Sequence, residues 1–294
     1  MMFSFPEQPI VPEKIGKAFL QGDFGRIYRQ TTNDFQRLAG YDEFQNMAQT
    51  FNNGVTVYNL LFSYDINNHL VQYVWSDDQN ERALEVYMDG QYIIHGFAMH
   101  PIVIDAEGGK KYSQQQYDWP IQTGKGWTVA WGGDHPMANA HHPLPNQRHA
   151  YDLVIQTSGK TYKGSSVKNE NYSAYGEPIY APAKGEVALV VDGILDNRPG
   201  IMNEEEPAGN AVVIRHALRE YSILAHLQYG SIQVREREQV LAGDLIGRCG
   251  NSGNSTEPHL HLQLSNRPDF LQGTSIRMRF KHSPDPIRGD QIDR

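Results

Sequence analysis

Gly247–Leu264 reads GRCGNSGNSTEPHLHLQL. Glycine, asparagine and serine crowd its first half, the composition of a turn-forming loop. From Pro258 onward the pattern alternates, histidine against leucine and then leucine against glutamine. A strand sends residues i and i+2 to the same face. His259 and His261 therefore share one surface, while Leu260 and Leu262 face a core. Two imidazoles side by side suit two jobs, one nitrogen on a metal and another moving a proton. An ordinary polar strand face carries such a pair equally well, so the flanking sequence has to decide.

Upstream of this stretch the pattern is all-β. Strands are expected at 151–156, 178–181, 185–192, 210–216, 221–227, 245–249 and 259–264, with short turns and no long helical period. Many short strands at this spacing predict a sandwich or open barrel. Leu224-Ala225-His226-Leu227 ends one strand with a histidine able to face the H-x-H pair across the sheet. The interruption Gly193–Pro207 (GILDNRPGIMNEEEP) is an acidic surface insertion, and its Glu204-Glu205-Glu206 run reads as a solvated loop. Before the first of these strands, His135, His141, His142 and His149 lie ahead of Asp152, four of the chain's 12 histidines.

The first part of the chain follows a different pattern. Ile15, Ala18 and Phe19, then Phe44, Met47, Ala48 and Phe51, fall at helical spacing. From Gly54 the period becomes two, with strands expected at 55–60, 70–75, 83–88 and 92–99, and Asp89-Gly90 as a two-residue hairpin turn. Helices followed by an antiparallel meander give an α+β layer over residues 1–103. Residues 104–125 (DAEGGKKYSQQQYDWPIQTGKG) are polar and turn-rich, as in a linker or arm, and 126–294 form the second domain.

Bulk properties narrow the function. A formal net charge of −8 argues against a nucleic-acid partner. The single cysteine, Cys249, excludes an intramolecular disulfide framework and a cysteine-rich metal site, and reads as a core or turn residue. No apolar run approaches the roughly 18–20 residues that span a bilayer. MMFSFPEQPIVPEK lacks a basic segment followed by an apolar one, so no signal peptide is visible and the compartment stays open.

Six motifs in order give residues 146–264 a specific resemblance. They are Tyr151-Asp152-Leu153, Gly176 through Val187, Gly209 through His216, Ala225-His226-Leu227, Ala242 through Gly247, and Gly250 through His261. This stretch resembles the catalytic domain of the LytM/lysostaphin-type zinc metallopeptidases. The resemblance implies an antiparallel β domain of duplicated-hybrid-motif type. It also implies Zn²⁺ as cofactor and peptidoglycan stem or cross-bridge peptides as substrate, in the cell wall outside the cytoplasm. Asp152 and His261 match metal ligands of that family, and His226 and His259 match the pair that handles protons and steadies the oxyanion.

The third ligand departs from the commonest pattern, which has a histidine four residues before the aspartate. Arg148 stands there, and it could pair with Asp152 and close the site. His149 precedes Asp152 by three, which in a regular strand points it to the other face. Another branch, of β-lytic and staphylolytic enzymes, draws this histidine from an upstream loop after a Trp/Gly-Gly stretch. Trp131-Gly132-Gly133-Asp134-His135 and Asn139-Ala140-His141-His142 both supply candidates. His141 is the assignment, with His135 second and His149 third.

Residues 12–103 resemble nuclear-transport-factor-two-like domains in element order, a fold that could bind a ligand or a protein partner. The leading expectation is a zinc endopeptidase. The alternative is a degenerate domain of the same fold that binds peptidoglycan or regulates a wall hydrolase. Phosphotransfer through His226 or His259, as in glucose-permease-type phosphocarriers, is a third reading, disfavoured by the acidic residue in the metal-ligand place.

Overall fold

The structure is a computed structural model that describes residues 8–103, 112–216, 219–282 and 285–292. It divides into two units, Met1–Asp105 and Ala106–Arg294. Among the described residues no helix is long and apolar enough to cross a membrane.

The first unit begins with four helices, α1 (Pro12–Leu20), α2 (Phe24–Arg29), α3 (Asn33–Leu38) and α4 (Tyr41–Asn52). Proline at the start of α1 sacrifices an N–H that has no helical partner there. Thr32 caps α3 by accepting from the Phe35 N–H at 3.2 Å. A four-stranded antiparallel meander follows: β1 (Tyr58–Asn67), β2 (Leu70–Asp77), β3 (Arg82–Asp89) and β4 (Ile94–Pro101). Ile15, Phe19, Ile27 and Phe44 of the helices are buried with Trp75, Leu84, Val86 and Met88 of the sheet. The turn after β3 is wider than the expected two residues. The Asp89 carboxylate accepts from the Gln91 and Ile93 N–H groups, both at 2.9 Å, and Tyr92 takes a left-handed φ of 63°. Side-chain capping by Asp89 thus selects the longer loop.

The second unit holds β5 (Tyr112–Tyr117), β6 (Trp127–Trp131), β7 (Tyr151–Ile155), β8 (Pro178–Tyr180), β9 (Gly185–Val191), β10 (Asn210–Arg215), β11 (Tyr221–Leu227), β12 (Gln239–Val240), β13 (Leu245–Arg248), β14 (Leu260–Ser265) and β15 (Ser275–Phe280). Nine of these form one sheet, and β8 with β13 forms a small second one. Ile179 of β8 and Ile246 of β13 join the buried cluster made by Val212, Leu224, Leu260 and Leu262 of the large sheet. Cys249 is buried in that same cluster, a core residue as its neighbours suggested.

Two expectations need correction here. The stretch 104–125 is not an arm throughout: Tyr112–Tyr117 is a strand of the sheet, and residues 104–111 lie outside the described residues. The sheet is mixed, because β5 pairs β15 in parallel. A polar strand covered on one side by its partner needs few apolar residues, so YSQQQY gave little periodic signal.

β14 is the strand on which the rest converges. One edge pairs β11 along its length; the other is shared, with β7 on Leu260–Leu262 and β15 on Leu264–Ser265.

Candidate metal centre

The register of β7 against β14 puts Asp152 directly opposite His261, and that of β11 puts Ala225 opposite His261 on the other side. Directly opposed residues share a face with Cβ atoms about 5 Å apart. Asp152 and His261 therefore meet because of strand register alone: His261 Nδ1 lies 2.9 Å from Asp152 Oδ1. His259, two residues earlier on the same face, brings its Nε2 to 3.6 Å from that oxygen.

His226 does not follow from alternation. Its neighbour Ala225 already occupies the site face, so a regular strand would turn His226 into the core. A bulge reverses this. Asn210 pairs with Leu227 and Val212 with Leu224, leaving Ala225 and His226 together opposite Ala211. His226 takes a φ of 62°, a conformation costing a non-glycine residue about 1–2 kcal/mol. The strain is held by three hydrogen bonds. The His226 N–H donates to the Ala208 carbonyl at 3.0 Å, its carbonyl accepts from the Gly250 N–H at 3.1 Å, and its Nδ1 meets the Ser252 carbonyl at 2.8 Å. The ring centroid then lies 4.7 Å from that of His259 and 5.8 Å from that of His261.

The glycines of the Gly250–Ser255 loop bring Ser252 within reach. Gly253 has a φ of 78°, and a Cβ there would lie 2.3 Å from the Gly209 nitrogen. Only glycine permits both the conformation and the approach. The loop is clamped from outside by the acidic insertion, whose Glu204, Glu205 and Glu206 are exposed as expected. Asp196 accepts from the Asn251 N–H at 2.8 Å, and Asn197 Nδ2 donates to the carbonyls of Gly253 and Ser255 at 2.7 and 3.0 Å.

His141 arrives from the loop between β6 and β7. Asn139, wholly buried, donates to the carbonyls of Gly133, Arg148 and Ala150 and so closes the base of that loop. Its Oδ1 accepts from the His141 N–H at 3.0 Å, which sets the histidine's direction. Successive turns through Pro143 and Pro145 return the chain to β7. His141 Nε2 ends 2.9 Å from Asp152 Oδ2.

The ligand-type atoms of His141, Asp152 and His261 all lie within 4.8 Å of one another. His149 turns instead to Asp134, with Nδ1 3.6 Å from its carboxylate. His135 is buried, with Nδ1 accepting from the Met137 N–H at 3.1 Å. Arg148 directs its Nε to the His142 carbonyl at 3.1 Å. Sequence reasoning missed Asn139, Asp196, Asn197 and Gln263, all of which position the site. The one signal available was Asn139 two residues before a candidate histidine, the spacing of an Asx turn.

Burial alone would raise the Asp152 carboxyl, but the neighbouring His141 and His259 outweigh it, with hydrogen bonds from His141 and His261, and hold it well below the usual carboxylate range. Burial pushes His226 well below the ordinary histidine value, aided by His259 and His261, and pushes His261 down as well. His141 moves up, because Asp152 overcomes its burial.

This donor set fits a divalent cation. His261 Nε2 lies 2.9 Å from Gln263 Oε1, an acceptor for the ring's proton when Nδ1 turns its lone pair to an ion. A carboxylate with two imidazoles is the ligand chemistry zinc takes in open catalytic sites. Fold and site together define a β domain whose His141, Asp152 and His261 could hold a divalent ion.

The family follows from comparison. Residues 170–276 match the model of peptidase family M23, and the chain carries an M23 domain of the LytM type. The Cell division protein DipM of Caulobacter vibrioides is 29% identical over 109 residues, 36% of this chain and 16% of that protein. The Peptidoglycan DD-endopeptidase ShyA of Vibrio cholerae is 34% identical over 90 residues, 30% of this chain and 17% of that protein. The chain thus spans less than a fifth of either relative. Among solved structures, the catalytic domain of the prophage-encoded M23 protein EnpA from Enterococcus faecalis is 20% identical. It covers 56% of this chain and 98% of its own, with a TM-score of 0.35.

Proposed function

We propose that the protein is a zinc-dependent endopeptidase that hydrolyses peptide bonds of bacterial peptidoglycan. The observation that carries this reading is the convergence of His141, Asp152 and His261 from a loop and two strands on one point. The match to family M23 and the similarity to the Vibrio cholerae peptidoglycan DD-endopeptidase support the reaction class. A wall substrate places the working protein outside the cytoplasm.

When bound, the ion lowers the pKa of a water to about 7 and polarises the scissile carbonyl. The chain supplies the proton handling. His226 and His259 each anchor Nδ1 on a carbonyl, Ser252 and Glu257 respectively, both at 2.8 Å. That fixes the tautomer and leaves each Nε2 with its lone pair exposed to the site. Burial keeps His226 neutral at physiological pH. A neutral Nε2 takes a proton from the attacking water, and the resulting N–H serves the leaving amine or the developing oxyanion.

The test pairs metal analysis with digestion of purified sacculi. Wild type is expected to hold one zinc and release soluble muropeptides, while His141→Ala, Asp152→Ala and His261→Ala lose both. Full zinc in His141→Ala overturns that ligand. Sacculus binding without zinc or cleavage in wild type replaces the enzyme with a binding domain.

A further inference from the structure

One imidazole of the proposed metal set, His261, is backed by a glutamine. Gln263, with no solvent exposure, places Oε1 2.9 Å from His261 Nε2. Its own Nε2 donates to the Asn146 carbonyl at 3.4 Å, which orients the amide so that oxygen, not nitrogen, meets the imidazole.

We infer that Gln263 is a positioning residue that selects the imidazole tautomer of His261, so that its Nδ1 lone pair is presented to a metal. A neutral histidine has one N–H and one lone pair, and whichever nitrogen finds an acceptor keeps the proton. An acceptor on the far nitrogen holds the proton there when an ion displaces the Nδ1 hydrogen bond to Asp152. Gln263 also ties the two ligand segments together. Asn146, which it contacts, belongs to the loop that carries His141, and Asn146 Nδ2 donates to the Phe270 carbonyl at 3.0 Å beyond β14. Losing Gln263 thus frees the ring on β14 and loosens the loop opposite.

This inference rests on the metal reading above. The experiment measures zinc affinity by chelator competition in the full chain, for wild type, Gln263→Leu, Gln263→Met and Gln263→Glu. Far-UV circular dichroism and thermal unfolding of the zinc-free proteins report whether each folds. Gln263→Leu and Gln263→Met, having no oxygen acceptor, are expected to bind zinc on the order of 10–100-fold more weakly while folding like wild type. Gln263→Glu keeps an acceptor oxygen on the far nitrogen and is expected within about threefold of wild type, or tighter. If Gln263→Leu fails to fold, the unbranched Gln263→Met carries the test. A leucine or methionine variant with wild-type affinity overturns the inference alone, and so does a Gln263→Glu variant as weak as those two. A wild type that takes up no zinc sinks both this inference and the metal reading.

Discussion

Two carboxylates of the second unit, Asp152 and Asp134, are each approached by histidine and arrive at opposite fates. Asp152 is met by His141 on one oxygen and by His261 and His259 on the other. Asp134 is met by His149 at 3.6 Å and by Arg277, whose guanidinium donates to Oδ2 at 2.8 Å and reaches on to Asp285 at 3.1 Å. A guanidinium is a permanent cation with fixed geometry, so Asp134 is already neutralised by the protein. Imidazoles offer lone pairs as readily as protons, so Asp152 is left as the acidic member of a ligand set. Residue type alone does not separate a structural ion pair from a metal centre; the nature of the partner does.

The largest expected effect breaks the proton-handling part of the Asp152 site while leaving its donors. His226→Ala is expected to keep its zinc and lose muropeptide release by roughly 10²–10⁴-fold, the scale of a lost general acid–base group. Retained hydrolysis with retained zinc would remove His226 from the mechanism. A smaller effect is expected at the other carboxylate. Asp134→Asn should cost about 2 kcal/mol in denaturant unfolding, since it leaves the mostly buried Arg277 short of one charged partner. It should not change zinc content, and a loss of zinc there would merge two clusters that are here held distinct.

The smallest effect is a pH dependence. Burial lowers His149 to about 4 from 6.5, with Arg277 and Arg148 adding to the shift and Asp134 opposing it. Between those two values the unfolded chain binds more protons than the folded one, so stability falls as pH falls through that window. His149→Asn is expected to flatten this slope, narrowing the difference in Tm between neutral pH and about pH 5 by about 3 °C. An unchanged difference would show that the acid sensitivity lies elsewhere.

The sequence was most legible where strands are regular. The H-x-H spacing correctly puts His259 and His261 together, and Leu260 and Leu262 are fully buried as alternation requires. His226 reaches the same face only through a bulge, and nothing in Leu-Ala-His-Leu announces an extra residue opposite Ala211. His141 was accessible through its loop, although the contact that aims it belongs to Asn139. The insertion at 193–207 lies at the surface with Glu204, Glu205 and Glu206 exposed, as its acidic composition implied, but that composition gave no sign that Asp196 and Asn197 bond to the adjacent loop. β5 escaped notice because its partner strand, not its own composition, makes it a strand; β15 carries a legible alternation of Ile276, Met278 and Phe280 that was passed over.

The shared edge of β14 has a kinetic consequence. Asp152 and His261 stand 109 residues apart in the chain, and the strands on both sides of β14 must wait for it. Contacts so distant are slow to form, because much chain entropy is lost before they repay it. During synthesis, which proceeds from the N-terminus, a site assembled this way cannot form until β14 has emerged from the ribosome.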